Sequence, residues 1–137
     1  MIPTLGFRMA LAFSILSLPV LGAPRAFDPA KDIEITLQRG VLLMKVPKDV
    51  HLKQRFFKVE SKGGVVIVGK LPTASSKDEL GDPIWRGTIS VPLRGQDLKD
   101  PVELIVSYQP CSEGEGGVCY RPQRRTLVVR AADFEPR

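Results

Sequence analysis

The stretch Val102-Glu-Leu-Ile-Val-Ser-Tyr-Gln109 carries the clearest structural signal in the chain. Every second residue from Val102 to Tyr108 is large and apolar or aromatic, and most of the residues between them are polar. Alternation of this kind is typical of a β-strand with one face in a core and the other toward solvent. We therefore predict a strand over residues 102–109.

Similar apolar and β-branched runs recur on both sides of this strand, and clusters of turn residues such as Gln38-Arg-Gly40 separate them. No stretch holds a 3.6-residue period long enough for a helix, and 12 prolines and 12 glycines in 137 residues disfavour one. Short strands at this spacing predict an all-β fold, a single-domain immunoglobulin-like antiparallel β-sandwich. The predicted strands cover residues 33–37, 41–46, 52–60, 65–71, 85–93, 102–109 and 123–130.

The first 26 residues differ in composition from the rest of the chain. Arg8 precedes an apolar run, Met9-Ala-Leu-Ala-Phe-Ser-Ile-Leu-Ser-Leu-Pro-Val-Leu-Gly-Ala23, that ends in small residues. This layout is typical of a secretory signal peptide, whereas a membrane-spanning helix needs about 20 apolar residues. We predict a signal peptide over residues 1–26, cleaved between about 22 and 26, and one domain over 27–137 without stable membrane insertion.

The charge of the chain is mildly positive, with a formal net value of +5 at pH 7. A nucleic-acid site needs a broader basic footprint than this chain offers. We interpret the basic residues near the C-terminus as a solvated strand face and predict no nucleic-acid partner. These residues are Arg121, Arg124, Arg125 and Arg130.

The chain has two cysteines, Cys111 and Cys119. In an exported protein such a pair predicts a disulfide, and a structural bridge is its ordinary interpretation. The two lie eight positions apart, near the facing ends of the predicted strands 102–109 and 123–130. Loop closure over this span contributes about 2.6 kcal/mol, against about 4.7 for a hundred-residue loop. The position favours a switchable bridge, because a hairpin keeps both sulfurs close in either state.

The inter-cysteine loop, residues 112–118, also suits a redox role. Its three glycines let the backbone adjust between two states. Glu113 and Glu115 place negative charge near the sulfurs, and negative charge raises a thiol pKa because it disfavours the thiolate. Zinc usually needs four ligands, and His51 is the one histidine available to join the two sulfurs. We expect no bound metal, and we interpret His51 as a surface or edge residue.

The residues on each side of the cysteines form a recognisable pair of motifs. Tyr108-Gln-Pro-Cys111 and Cys119-Tyr-Arg-Pro122 together resemble the Y-Q-x-C … C-Y-x-P signature of the N-terminal periplasmic domain of the thiol:disulfide interchange protein DsbD. The resemblance covers roughly residues 30–132 and is most specific over 77–122.

An upstream segment extends this resemblance. Lys77-Asp-Glu-Leu-Gly81, with Trp85 and Ile89-Ser-Val-Pro-Leu93 after it, is similar to that family's cap loop and the strand that follows. The resemblance implies an acidic pair close to the cysteines, a cap residue that stands where the family has an aromatic covering the disulfide, and two tyrosines that frame the site. These residues are Asp78, Glu79, Leu80, Tyr108 and Tyr120.

The resemblance also implies an activity, that of a protein-disulfide reductase in the periplasm of a Gram-negative bacterium. In such domains the second cysteine, here Cys119, forms a mixed disulfide with a thioredoxin-like partner, and the first, here Cys111, resolves it. Another thioredoxin-like protein then reduces the pair, fed by a membrane electron-transfer protein upstream. No cofactor is implied.

Two departures from the family pattern matter for this interpretation. The spacer between the cysteines is two residues longer than is usual in the family, and the cap carries the smaller Leu80. The chain holds no membrane or thioredoxin-like domain, so we expect its electrons to come from a separate protein. Two alternatives stay open: an exported immunoglobulin-like protein-binding module with a structural disulfide, and a metal or copper carrier.

Overall fold

The computed structural model describes residues 26–114 and 116–135. Apart from its last residue, the predicted signal peptide lies outside these ranges. The strands are β1 (Glu34–Gln38), β2 (Val41–Lys45), β3 (Val50–Lys53), β4 (Lys58–Ser61), β5 (Val66–Val68), β6 (Ser76–Lys77), β7 (Pro83–Trp85), β8 (Thr88–Gly95), β9 (Val102–Tyr108), β10 (Pro110–Ser112) and β11 (Gln123–Val129). Single 3₁₀ turns cover Gln54–Phe56, Lys62–Gly64 and Ala131–Phe134. None of the helical turns in these ranges has the length and apolarity needed to span a bilayer.

The strands form three antiparallel sheets. The first has the order β1-β2-β8-β5, the second β11-β9-β4, and the third β10-β3-β7-β6. The β1–β2 hairpin turns at Arg39 and Gly40, whose φ angles are 51° and 74°. Two successive positive φ values are typical of the tight turn that matches the twist of a hairpin. Glycine adopts such a φ without strain, which explains the Gly40 of the predicted turn.

One apolar core lies between the first sheet and the other two. Strand β8 alternates strictly, with Ile89, Val91 and Leu93 buried and the residues between them exposed. Strand β9 contributes its predicted face in the same way, and Leu104 and Tyr108 are both fully buried in the shared cluster. The predicted all-β, immunoglobulin-like antiparallel sandwich is confirmed.

Three predicted strands are wrong in extent. The predicted strand 52–60 breaks at the 3₁₀ turn Gln54–Phe56, because β3 and β4 pair in different sheets. The predicted strand 85–93 breaks at Gly87, whose φ of 72° is incompatible with an extended strand. The predicted strand 65–71 shortens to β5, Val66–Val68.

The cysteines do not lie at the ends of a β9–β11 hairpin, where the sequence placed them. The β9 ladder ends at Tyr108, opposite Gln123, and the chain continues as β10 in the third sheet, where Pro110 pairs with Leu52. Proline has no N–H to donate and is tolerated at the start of an edge strand, which is where Pro110 stands. This change of sheet places Cys111 opposite β3 instead of opposite β11.

Candidate functional site

A disulfide joins Cys111 in the middle of β10 to Cys119 on the returning chain, with the two Cα atoms 3.9 Å apart. The two residues differ in accessibility. Cys111 is 1% exposed although it lies outside the core cluster, whereas Cys119 is exposed. An incoming thiolate therefore meets the Cys119 end of the bridge first.

Backbone and side-chain hydrogen bonds close the inter-cysteine loop. The Ser112 N–H donates to the Val118 carbonyl at 2.9 Å, and the Val118 N–H donates to the Ser112 hydroxyl at 3.0 Å. Just beyond the bridge, the Tyr120 N–H donates to the Pro110 carbonyl at 2.9 Å. Gly117 has no room for a side chain, because a Cβ there would stand 2.5 Å from the Ser112 carbonyl oxygen. These hydrogen bonds therefore join the two ends of the loop on either side of the disulfide.

A polar network joins the inter-cysteine loop to strand β3. The Nδ1 atom of His51 lies 3.0 Å from the Glu113 Oε1 atom, and the Arg86 guanidinium also bonds this carboxylate. Burial acts to raise the pKa of Glu113, but the hydrogen bonds from Arg86 and His51 outweigh it and hold this pKa below its ordinary value. Glu113 is therefore ionised and paired with Arg86 and His51, and it lines the same cavity as the two cysteines. Its predicted effect on the thiols stays a prediction, and Glu115 lies outside the described residues.

The cap loop, residues 77–81, is fastened at its base. The Asp78 Oδ1 atom accepts hydrogen bonds from the N–H groups of Leu80 and Asp82, both at 2.9 Å. The Nζ atom of Lys53 lies 3.3 Å from Asp78 Oδ2 and 3.5 Å from Asp82 Oδ2. The backbone hydrogen bond from Asp82 and the contacts with Lys53 and Leu80 lower the pKa of Asp78 despite its partial burial. By contrast, the tip residue Leu80 is 83% exposed.

An open cavity of about 350 Å³ lies between the cap loop and the inter-cysteine loop. Five of the seven predicted site residues line it, namely Asp78, Glu79, Leu80, Cys111 and Cys119. His51, Lys53, Glu113 and Val118 also line it. Since both cysteines, two exposed apolar side chains and several charged side chains line the cavity, it can receive a peptide segment that carries its own cysteine.

Comparison with known proteins agrees with this geometry. The family model of the N-terminal region of the thiol:disulfide interchange protein DsbD matches residues 19–131. The chain belongs to this family. A comparison with curated proteins gives no significant match.

Two solved structures from Neisseria meningitidis share the DsbD N-terminal fold with this chain. The DsbD N-terminal domain in the reduced form aligns with a TM-score of 0.52 and 15% identity, covering 72% of this chain and 83% of that one. A complex between the DsbD N-terminal and PilB N-terminal domains aligns with a TM-score of 0.61 and 17% identity, covering 77% and 88%. At such identities the likeness establishes the fold.

The two tyrosines of the DsbD-like motifs lie outside the cavity. Tyr108 is fully buried in the core, and its hydroxyl donates to the Pro29 carbonyl at 3.1 Å. Burial raises the pKa of Tyr108, so the phenol stays neutral. The ring of Tyr120 packs against that of Phe27, with centroids 5.5 Å apart. In this structure both side chains support the strands next to the cysteines.

Sequence reasoning missed the β3 side of the site. His51 pairs directly with Cys111 in the β3–β10 ladder, so its interpretation as a surface or edge histidine is wrong; its side chain is 12% exposed. Along β3, Val50 and Leu52 are buried, whereas His51 and Lys53, which alternate with them, are not. The sequence shows this alternation, and it indicates that the predicted strand 52–60 should begin two residues earlier, at Val50. Within the described residues, no group of three or more His, Cys, Asp and Glu side chains could hold a metal ion.

Proposed function

We propose that this protein is a periplasmic thiol–disulfide exchange protein that passes electrons to thioredoxin-like partners through a reversible Cys111–Cys119 disulfide. The observation that carries the proposal is the unequal exposure of the two cysteines, with Cys111 buried and Cys119 open to solvent beside an accessible cavity. Membership of the DsbD N-terminal family supports the chemistry, and the apolar leader supports export.

The reaction divides into two displacements. In the reduced protein the Cys119 thiolate attacks one sulfur of the partner's disulfide, and the partner's other sulfur leaves as a thiolate and takes up a proton. Cys111 then loses its proton and attacks the Cys119 sulfur, which forms the internal disulfide and releases the partner as a dithiol. Two electrons thus pass to the partner. A thioredoxin-like donor, supplied through a membrane electron-transfer protein, reverses the sequence and restores the pair.

The cap loop has a part in this scheme. Leu80 stands at the exposed tip of the loop and lines the cavity with the cysteines, and we assign it the role of a partial cover that leaves Cys119 accessible and that a partner displaces. Asp78 and Glu79 line the same cavity. Asp78 serves mainly to hold the loop, since its carboxylate is occupied by Lys53 and by two backbone N–H groups.

Trapping of the mixed disulfide tests the assignment of roles. Reduced Cys111→Ser should accumulate a stable mixed disulfide with an oxidised thioredoxin-like protein, because nothing resolves it, whereas Cys119→Ser should form none. The species are separated on non-reducing gels after acid quenching, and the unsubstituted protein, which resolves the adduct, serves as control. The reverse pattern would exchange the two roles.

Equilibration of the purified domain against graded glutathione or dithiothreitol buffers tests the function itself. A reduction potential within roughly −120 to −270 mV, the range of known exchange proteins, is expected. A bridge that stays closed well below about −300 mV is structural, and the protein would then be a binding module.

A further inference from the structure

Within this proposed function, we propose that His51 is the base that accepts the proton of the Cys111 thiol when Cys111 resolves the mixed disulfide. Cys111 and His51 stand directly opposite each other in the antiparallel β10–β3 pair. Residues in this relation project from the same face of a sheet, with Cβ atoms about 4.5–5.5 Å apart. Both line the cavity that holds the bridge.

The residue pairs next to Cys111 and His51 show which face of the third sheet these two residues occupy. Pro110 pairs with Leu52, and Leu52 belongs to the core cluster. Because side chains alternate along a strand, Cys111 and His51 lie on the opposite, outer face of the third sheet. The burial of Cys111 therefore comes from the site around it, which explains why it is 1% exposed yet absent from the core cluster.

The orientation of the imidazole follows from its partner. The hydrogen bonds from Arg86 and His51 keep Glu113 ionised, and a carboxylate can only accept hydrogen bonds. The Nδ1 atom of His51, 3.0 Å from Glu113 Oε1, must therefore carry the proton and donate it. In the neutral ring this tautomer leaves the lone pair on Nε2, so the nitrogen that faces away from Glu113 is the basic one.

Cys111 needs such a base more than Cys119 does. Burial disfavours a thiolate, and the nucleophile in exchange is the thiolate. Cys119 is exposed and can lose its proton to water. In the resolving step the Cys111 S–H proton moves to His51 Nε2, the Cys111 sulfur bonds to the Cys119 sulfur, and the partner's sulfur leaves with the electron pair. His51 then returns its proton to solvent or to the leaving thiolate.

The charged groups around His51 come from several elements. Glu113 is its direct partner, and Arg86 reaches that carboxylate from the end of β7. The others that line the same cavity are Lys53 on β3, Lys77 on β6, and Asp78 and Glu79 on the cap loop. Lys53 and Asp78 pair with each other, and among the described residues Glu113 is the charged group that contacts the imidazole.

A two-phase reaction of the reduced protein with Ellman's reagent, an aromatic disulfide, tests this inference. Attack by Cys119 releases the first thionitrobenzoate, and resolution by Cys111 releases the second, so one stopped-flow trace reports both steps. In His51→Gln the second phase should slow by about a hundredfold, the lower end for loss of a general base, while the first phase stays unchanged as an internal control. The second-phase rates of the natural sequence and of the variant should also differ in their dependence on pH.

Glu113→Gln provides a second variant in case His51→Gln is unstable. It retains an acceptor oxygen for Nδ1 but removes the charge, so the second phase should slow less than in His51→Gln. Equal slowing of both phases, or an unchanged second phase in both variants, would overturn the role of His51. A natural protein that releases no second thionitrobenzoate would instead overturn the proposed function, because Cys111 would then not close the bridge.

Discussion

The two faces of strand β3 differ in what holds their side chains in place. On the inner face Val50 and Leu52 are 5% and 1% exposed among apolar neighbours. On the outer face the side chains of His51 and Lys53 are each 12% exposed and contact carboxylates. Apolar burial is non-directional and tolerates replacement by side chains of similar volume, whereas a charge with little exposure requires its particular partner. The strand therefore supports the fold with one face and builds the site with the other.

The largest expected effect is on the inner face. Leu52→Ala should lower the free energy of unfolding by about 2–5 kcal/mol, because it removes buried methyl groups and leaves a cavity. The measurement is denaturant unfolding of the oxidised domain. Ile67→Ala is the matched control, since Ile67 is 43% exposed and surface substitutions usually stay within about 0.5 kcal/mol. Equal losses in the two variants would mean that the inner face of β3 contributes no more than an exposed position.

A substitution on the outer face of β3 should have an effect of intermediate size. Lys53→Met leaves the carboxylates of Asp78 and Asp82 without their shared cation, so the base of the cap loop should loosen. Amide hydrogen exchange at Leu80 and Asp82, whose N–H groups donate to Asp78, should accelerate several-fold, with Tm lower by several degrees.

The control for this variant is Lys58→Met, which breaks an ion pair with Glu60 on the exposed part of β4. Exchange at the cap loop should be unaffected there. If Lys53→Met also leaves the exchange of Leu80 and Asp82 unchanged, the loop is held by its own turn and the outer face of β3 has no part in it.

The smallest effect is expected at the tip of the cap loop. Leu80→Gly should raise the rate at which dithiothreitol reduces the bridge by a few-fold, because less apolar surface remains beside Cys119. Leu80→Phe should lower that rate, since a larger side chain covers more of the cavity. The rates are followed by alkylation of the freed thiols at fixed pH. Identical rates in the three proteins would show that the tip does not shield the sulfurs.

The contrast between the two faces of β3 also explains which parts of the fold and of the site could be predicted from the sequence. The buried alternation of β9, the turn at Gly40 and the cysteine pair are local patterns, and a single chain displays them directly. The DsbD-like motifs supplied Asp78, Glu79 and Leu80 as residues near the cysteines, and these line the cavity with them.

What could not be predicted depends on strand register and on changes of sheet. The residues near His51 do not predict that Cys111 pairs with it. The two are 60 positions apart in sequence, and they meet only because β10 leaves the β9 sheet. The same holds for the contact of His51 with Glu113. The location of Tyr108 was ambiguous for a related reason. Its position next to the cysteine motif suggested the site, whereas its position in the alternation of β9 predicted the core.

The return of the chain at Cys119 has a consequence for association between molecules. Strand β10 is at the edge of the third sheet, and an uncovered edge offers unpaired N–H and C=O groups to any passing strand. Here the Ser112 N–H already donates to the Val118 carbonyl, and the Tyr120 N–H donates to the Pro110 carbonyl, on either side of the Cys111–Cys119 bridge. Because these are backbone bonds, they can persist when the disulfide opens. In the proposed dithiol cycle, this edge of the sheet therefore stays paired and offers no free strand on which copies of the protein could aggregate.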